Sequence, residues 1–97
     1  MRAFNVVKFK VKPGQEQAFL DAHKGLGTAW AGLVGLNMIK TGDLSYCLIG
    51  EWRDKADLVA ARPAMIANLD VIRPMLTDLG EGKGVTDATS GEVVLTV

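Results

Sequence analysis

The sequence predicts a single α+β domain over residues 1–97, with four strands in one antiparallel sheet and two helices on one of its faces. Three observations carry this. At 97 residues and 48% hydrophobic, the chain is long enough for one core and too short for two. Its hydrophobic period changes from two to about 3.6 and back, twice along the chain. Glycines and prolines stand where the period changes.

Phe4 to Val11 is the first expected strand, with Val7, Phe9 and Val11 on one parity and Lys8, Lys10 and Lys12 on the other; Pro13-Gly14 ends it. From Gln15 onward Phe19, Ala22, Leu26, Ala29, Trp30 and Leu33 recur at helical spacing, so a helix is expected until the glycines at 32 and 35 close it. A second strand, Leu36 to Thr41, turns across Gly42-Asp43 into a third, Leu44 to Trp52. Asp54 is the expected N-cap of a second helical stretch whose apolar stripe is Leu58, Ala61, Met65, Leu69, Ile72, Leu76 and Leu79. Pro63 is expected to divide it into a short helix and a longer one restarting at the proline, and Pro74 to kink its last turn. Gly80 to Gly91 is then a polar, glycine-rich loop, and Glu92 to Val97 the last strand. The order βαββαβ is the ferredoxin-like split βαβ arrangement.

Antiparallel sheets with helices on one side usually make the other side polar. Here one set of strand positions carries Val7, Phe9, Val11, Ile39, Cys47, Ile49, Val93 and Leu95, and the other Phe4, Val6, Leu36, Met38, Leu44, Tyr46, Leu48 and Val94. Both faces therefore call for burial, each large apolar side chain contributing about 1.5–3 kcal/mol. A homodimer packed sheet face to sheet face supplies it.

The 11 basic and 11 acidic side chains balance, so no electrostatic footprint marks a nucleic-acid partner. No apolar run approaches the roughly 20 residues that span a bilayer, and Asn5 and Lys8 interrupt any signal-peptide core at the N-terminus. Cys47 stands alone in an apolar run, fitting a reducing cytoplasm, and one His with one Cys gives no metal-ligand spacing. Cytoplasmic location, no metal, no membrane and no nucleic acid are the expectations. Gly80-Glu81-Gly82-Lys83-Gly84 lacks the phosphate-loop pattern and precedes a strand instead of opening a helix.

The segments Val7 to Val11 with Lys12-Pro13-Gly14, Phe19-Leu20, Glu51-Trp52-Arg53-Asp54 and Ile72-Arg73-Pro74-Met75-Leu76 resemble, in order across nearly the whole chain, the antibiotic-biosynthesis-monooxygenase-like dimeric α/β barrels. That resemblance implies a ligand cavity between sheet and helices in each subunit. Members include cofactor-independent monooxygenases that oxidise polycyclic phenols to quinones, haem-degrading enzymes, small isomerases and proteins of unrecorded role. The family often carries an acidic residue two positions before the junction tryptophan, where this chain has Gly50, with Glu51 displaced by one. The haem-degrading members need a Trp and a His on the second helix, and none stands between Asp54 and Gly80; their strand-one Asn falls at Val7. Haem degradation is set aside.

Three residues are the candidate catalytic set. His23, on the border of the first helix's stripe, is the only ready-made base near neutral pH, and removing a hydroxyarene proton gives the electron-rich anion that reacts with dioxygen without a cofactor. Asn5 shares the parity of Val7 and Phe9 and would hold a phenol or enolate oxygen. Tyr46 offers a hydroxyl that must find a partner. The alternatives are a half-solvated histidine, a terminal asparagine reaching water, and core aromatics. Trp30, Trp52 and Met65 are the candidate apolar ligand contacts. Arg62 is the candidate for a ligand anion, with a surface ion pair as its alternative; eleven helical residues place it about 16 Å from Arg73, too far to clamp one small group.

The leading expectation is a small cofactor-independent monooxygenase acting on an electron-rich aromatic or quinol. The alternatives are a non-catalytic dimer that binds a small aromatic molecule, and an accessory dimerisation module whose cavity is filled by Trp30, Met65 and Leu69.

Overall fold

In the computed structural model, which describes residues 1–97, Ala3–Lys10 forms β1. Its alternation places Ala3, Asn5 and Phe9 in the interior and leaves Lys8 and Lys10 in water. Helix α1, Glu16–Gly25, buries Phe19 against it. The helix is shorter than its apolar spacing predicts. Gly25 and Gly27 in close succession favour the unfolded backbone, Leu26 turns extended with ψ 141°, and Trp30 stands in the connecting loop 26–32. Gly32 carries φ +81°, and a Cβ there would meet the Asp57 carboxylate at 2.2 Å, so only glycine brings this loop against the second helix.

Strand β2, Leu33–Gly42, starts earlier than expected and accommodates a register shift between Leu33 and Gly35. The hairpin turns one residue later than the sequence suggests, through Asp43 and Leu44, the latter at φ +57°, into β3, Ser45–Trp52. Helix α2, Lys55–Ile72, begins where Asp54 Oδ1 accepts from the Asp57 amide at 3.0 Å, as predicted. It runs unbroken through Pro63 and does not restart there. Pro63 and Val59 both lie on the exposed side, so the carbonyl deprived of its helical donor meets water. Pro74 instead sits in a 3₁₀ turn, Arg73–Met75, that closes the helix.

The last strand, β4, is Thr86–Glu92, upstream of the predicted position. Its small and polar side chains resemble a loop, yet pairing with the open edge of β1, from Ala3↔Glu92 to Phe9↔Thr86, makes it a strand. Residues 93–97 leave the sheet after the Val93 amide donates to the Arg2 carbonyl at 2.8 Å.

The four strands order β2-β3-β1-β4, all antiparallel. Register decides which side of β3 meets the helices. Lys40, Tyr46, Phe9 and Thr86 form one row across the sheet, Met38, Leu48, Val7 and Ala88 the next, and Leu36, Gly50, Asn5 and Ser90 a third. Cys47, Ile49 and Ile39, grouped with Val7 and Phe9 in the sequence, instead share the outer face with Phe4 and Val6. No helix is long and apolar enough to cross a membrane.

Two separate cores hold the layers together. Phe9, Val11, Phe19, Tyr46, Ile72 and Leu76 pack at one end, and Ala3, Trp52, Leu58 and Ala61 at the other. Val7, Leu48 and Met38 lie between them, only half-buried. The middle of the sandwich is hollow.

Candidate functional site

A cavity of about 840 Å³ occupies that gap. Val7, Leu36, Met38 and Leu48 form its floor, Leu58, Met65, Leu69 and Ile72 of α2 one wall, and Leu20 and His23 of α1 with Leu26 and Trp30 the other. Trp30, Met65 and Leu69 line the space without filling it. Large apolar recesses with few convergent polar groups are the usual form of small-molecule sites.

Asn5 is the buried polar group of the floor, 6% exposed. Its Oδ1 accepts from Trp52 Nε1 at 2.7 Å. An indole nitrogen only donates, so this bond fixes the amide's orientation and turns Nδ2 the other way. There Nδ2 meets the Met65 sulfur at 3.7 Å, a weak acceptor, and lines the cavity. Gly50 makes the arrangement possible. A Cβ at this position would come within 2.3 Å of Asn5 Oδ1 and 3.1 Å of Trp52 Nε1. Gly50 is thus the space in which the amide and indole meet. An isolated glycine inside a strand is a signal of such close approach.

His23 stands on the α1 wall, its ring edge-on to Phe19 with centroids 4.6 Å apart and 6.2 Å from Phe9. Nδ1 lies 2.9 Å from the Phe19 carbonyl oxygen. A carbonyl only accepts, so in the neutral ring Nδ1 carries the hydrogen and Nε2 the free lone pair. The imidazole and the amide donor therefore line the same cavity.

Tyr46 and Trp52 do not line it. Trp52 is fully buried behind Asn5, with Trp30 stacked on it at 6.0 Å between centroids and 14° between planes. Trp30 alone of the pair reaches the cavity. Asn68 steadies that loop by donating to the Gly27 carbonyl at 3.0 Å.

Tyr46 donates its hydroxyl to Glu16, which also receives Lys40 Nζ at 2.8 Å, with the ammonium 5.7 Å from the tyrosine ring centroid. The bond from Lys40, then that from Tyr46, hold the Glu16 carboxyl below its ordinary value of 4.5. The bond to Glu16 is the main cause that raises both Lys40 and Tyr46 above their ordinary values. The cluster thus stabilises the fold across neutral pH. Its contribution is complete above the ordinary carboxylate value, fades as pH falls through the lowered Glu16 value, and fades again as alkali titrates Tyr46 and Lys40. Wild-type protein is expected to lose more thermal stability than Glu16→Gln between about pH 5 and about pH 3; parallel melting curves would contradict this.

Arg62 and Ser90 form part of the rim, Arg62 Nη2 donating to Ser90 Oγ at 3.1 Å from helix to edge strand. Sequence reasoning missed Ser90 and Thr86, because their segment lacks apolar strand residues. Only the small-polar alternation Thr86, Ala88, Ser90 hints at a strand. No three His, Cys, Asp or Glu side chains gather into a metal-holding cluster.

No protein-family model and no curated protein matches the sequence. Solved structures do match over its full length. SnoaB from Streptomyces nogalater, a cofactor-independent oxygenase, is 16% identical with a TM-score of 0.75, over 99% of this chain and 96% of that one. A protein from Chloroflexus aurantiacus, named for antibiotic biosynthesis monooxygenase, is 12% identical at TM-score 0.73, over 100% and 97%. A dimeric ferredoxin-like protein from an uncultured marine organism is 13% identical at TM-score 0.74, over 99% and 90%. At such identities the likeness concerns architecture, and with the strand order and helix placement above it leads to one conclusion: this chain has the antibiotic-biosynthesis-monooxygenase-like fold, a ferredoxin-like α+β domain.

Proposed function

We propose that the protein is a homodimeric, cofactor-independent monooxygenase that oxidises an electron-rich aromatic such as an anthrone or hydroquinone. The observation that carries this reading is the pairing, in one apolar cavity, of a histidine with its Nε2 lone pair free and an asparagine whose amide is turned inward by Trp52. His23 takes a proton from the substrate, and the Asn5 amide holds the oxygen on which negative charge develops. The anion adds dioxygen, and the proton returns to the resulting peroxide. For an anthrone, loss of water then leaves a carbonyl where a methylene stood, one oxygen atom entering product and one entering water. Apolar walls keep solvent from competing for the anion.

The outer sheet face supports a second copy. Phe4, Val6, Cys47 and Ile49 lie together there with Ile39, which is 45% exposed. Native mass spectrometry is expected to give twice the 10.4 kDa chain mass; a monomer would remove the sheet-to-sheet interface. The buried free thiol of Cys47 suits the cytoplasmic setting proposed for the protein.

An oxygen electrode with a panel of anthrones and hydroquinones tests the chemistry. Uptake of one dioxygen per anthrone, with quinone formed, is expected. Tight binding of the same compounds without oxygen uptake would establish the alternative, a non-catalytic binder. The catalytic set proposed here leaves out Tyr46, whose hydroxyl is bonded to Glu16 outside the cavity.

A further inference from the structure

The geometry points to a ligand class for the cavity, on the reading that it binds a small molecule: an amphiphile with an apolar body and one carboxylate, the carboxylate held at the rim by Arg62. The chain has 11 acidic side chains, yet none lines the cavity, whereas Arg62 and Lys24 both do. The recess of an electrically neutral protein is therefore locally positive.

The two cations differ. Lys24 stands 3.7 Å from Asp21 and is largely exposed. Arg62 has no carboxylate partner. The other three arginines each have one: Arg2 with Glu51 at 2.7 Å, Arg53 with Asp57 at 2.9 Å and Arg73 with Asp70 at 3.1 Å. Arg62 instead spends one donor on the neutral Ser90 hydroxyl at 3.1 Å, which keeps the guanidinium over the opening between α2 and β4. Its remaining N–H groups form the planar fork that fits a carboxylate. Ser90 Oγ, accepting from Arg62, keeps its own hydrogen to donate to the same anion. One guanidinium and one hydroxyl suit a monoanion. The apolar body then lies inward over Val7 and Leu48, toward Asn5 and His23.

Quenching of Trp30 fluorescence, titrated with matched acid and amide probes, tests this. Anthracene-2-carboxylate is compared with anthracene-2-carboxamide, and dodecanoate with dodecanamide, so that aromatic and acyl sources of such an anion are separated. In wild-type protein the carboxylate of at least one pair is expected to bind about tenfold or more tightly than its amide. In Arg62→Gln that ratio is expected to fall to about one, while Arg73→Gln, in the 3₁₀ turn that closes the same helix and away from the cavity, keeps it. Equal affinities for acid and amide in wild type would overturn the anionic class while leaving the cavity a binding site. A preference that survives in Arg62→Gln would overturn the role of Arg62. Failure of all four probes to bind would remove both the class and the cavity reading beneath it.

Discussion

Replacing His23 with alanine is expected to lower oxygen uptake on an anthrone by a factor of about 10² to 10⁴, the usual contribution of a positioned general base. The Phe19 carbonyl anchors Nδ1, so the ring's one free basic position is Nε2. Asn68 lines the cavity as well, but an amide is too weakly basic to replace an imidazole. The alanine variant also loses the edge-on contact with Phe19, worth about 0.5–1.5 kcal/mol. His23→Phe separates the two effects, since it keeps an aromatic ring there and removes the base. Its oxygen uptake should fall as far as that of the alanine variant, with a melting temperature nearer wild type. Full activity in His23→Phe would show that the ring packs and does no chemistry.

Gly50→Ala is expected to produce the largest loss of stability for the smallest added volume. The new methyl carbon would sit 2.3 Å from Asn5 Oδ1, so the amide must leave Trp52. The indole N–H, in a residue with no exposed surface, then lacks its acceptor, a penalty of about 1–3 kcal/mol. In a domain of this size that lowers the melting temperature by roughly 4–8 °C per kcal/mol. The same movement turns the amide donor out of the cavity, so activity should fall with stability. Asn5→Ala removes the obstructing oxygen, and adding Gly50→Ala to it should cost clearly less than in wild type. Additive losses would mean that Gly50 acts through something other than the Asn5–Trp52 pair.

The sequence discloses the architecture because its signals are local. Strand β1, the N-cap at Asp54 and the helical stripe of α2 follow from period and capping alone. What escaped it depends on pairing. Strand β4 carries Thr86, Asp87, Ala88, Thr89 and Ser90, whose side chains hardly favour a sheet, and only the open edge of β1 makes them one. The tail at 93–97 has the side chains of a strand but finds no neighbouring strand in the chain. Pro63 misleads for a related reason, since its effect depends on whether the freed carbonyl faces water or protein. At the site, His23 and Asn5 were legible as unusual polar residues on apolar faces. The role of Gly50 was not, because a missing side chain shows its purpose only when the groups that use the space are seen. Tyr46 was placed on the correct strand, but its hydroxyl partner, Glu16, is 30 residues away.

The most direct measurement is NMR of uniformly ¹³C,¹⁵N-labelled wild-type protein titrated anaerobically with anthrone, so that ligand binds without turnover. The Asn5 amide and the His23 imidazole nitrogens should shift together, saturating at one ligand per subunit, while the Tyr46 ring and the outer-face residues Ile39 and Ile49 stay in place. Saturable shifts confined to the outer face, or binding that leaves Asn5 and His23 unmoved, would contradict a catalytic cavity between sheet and helices.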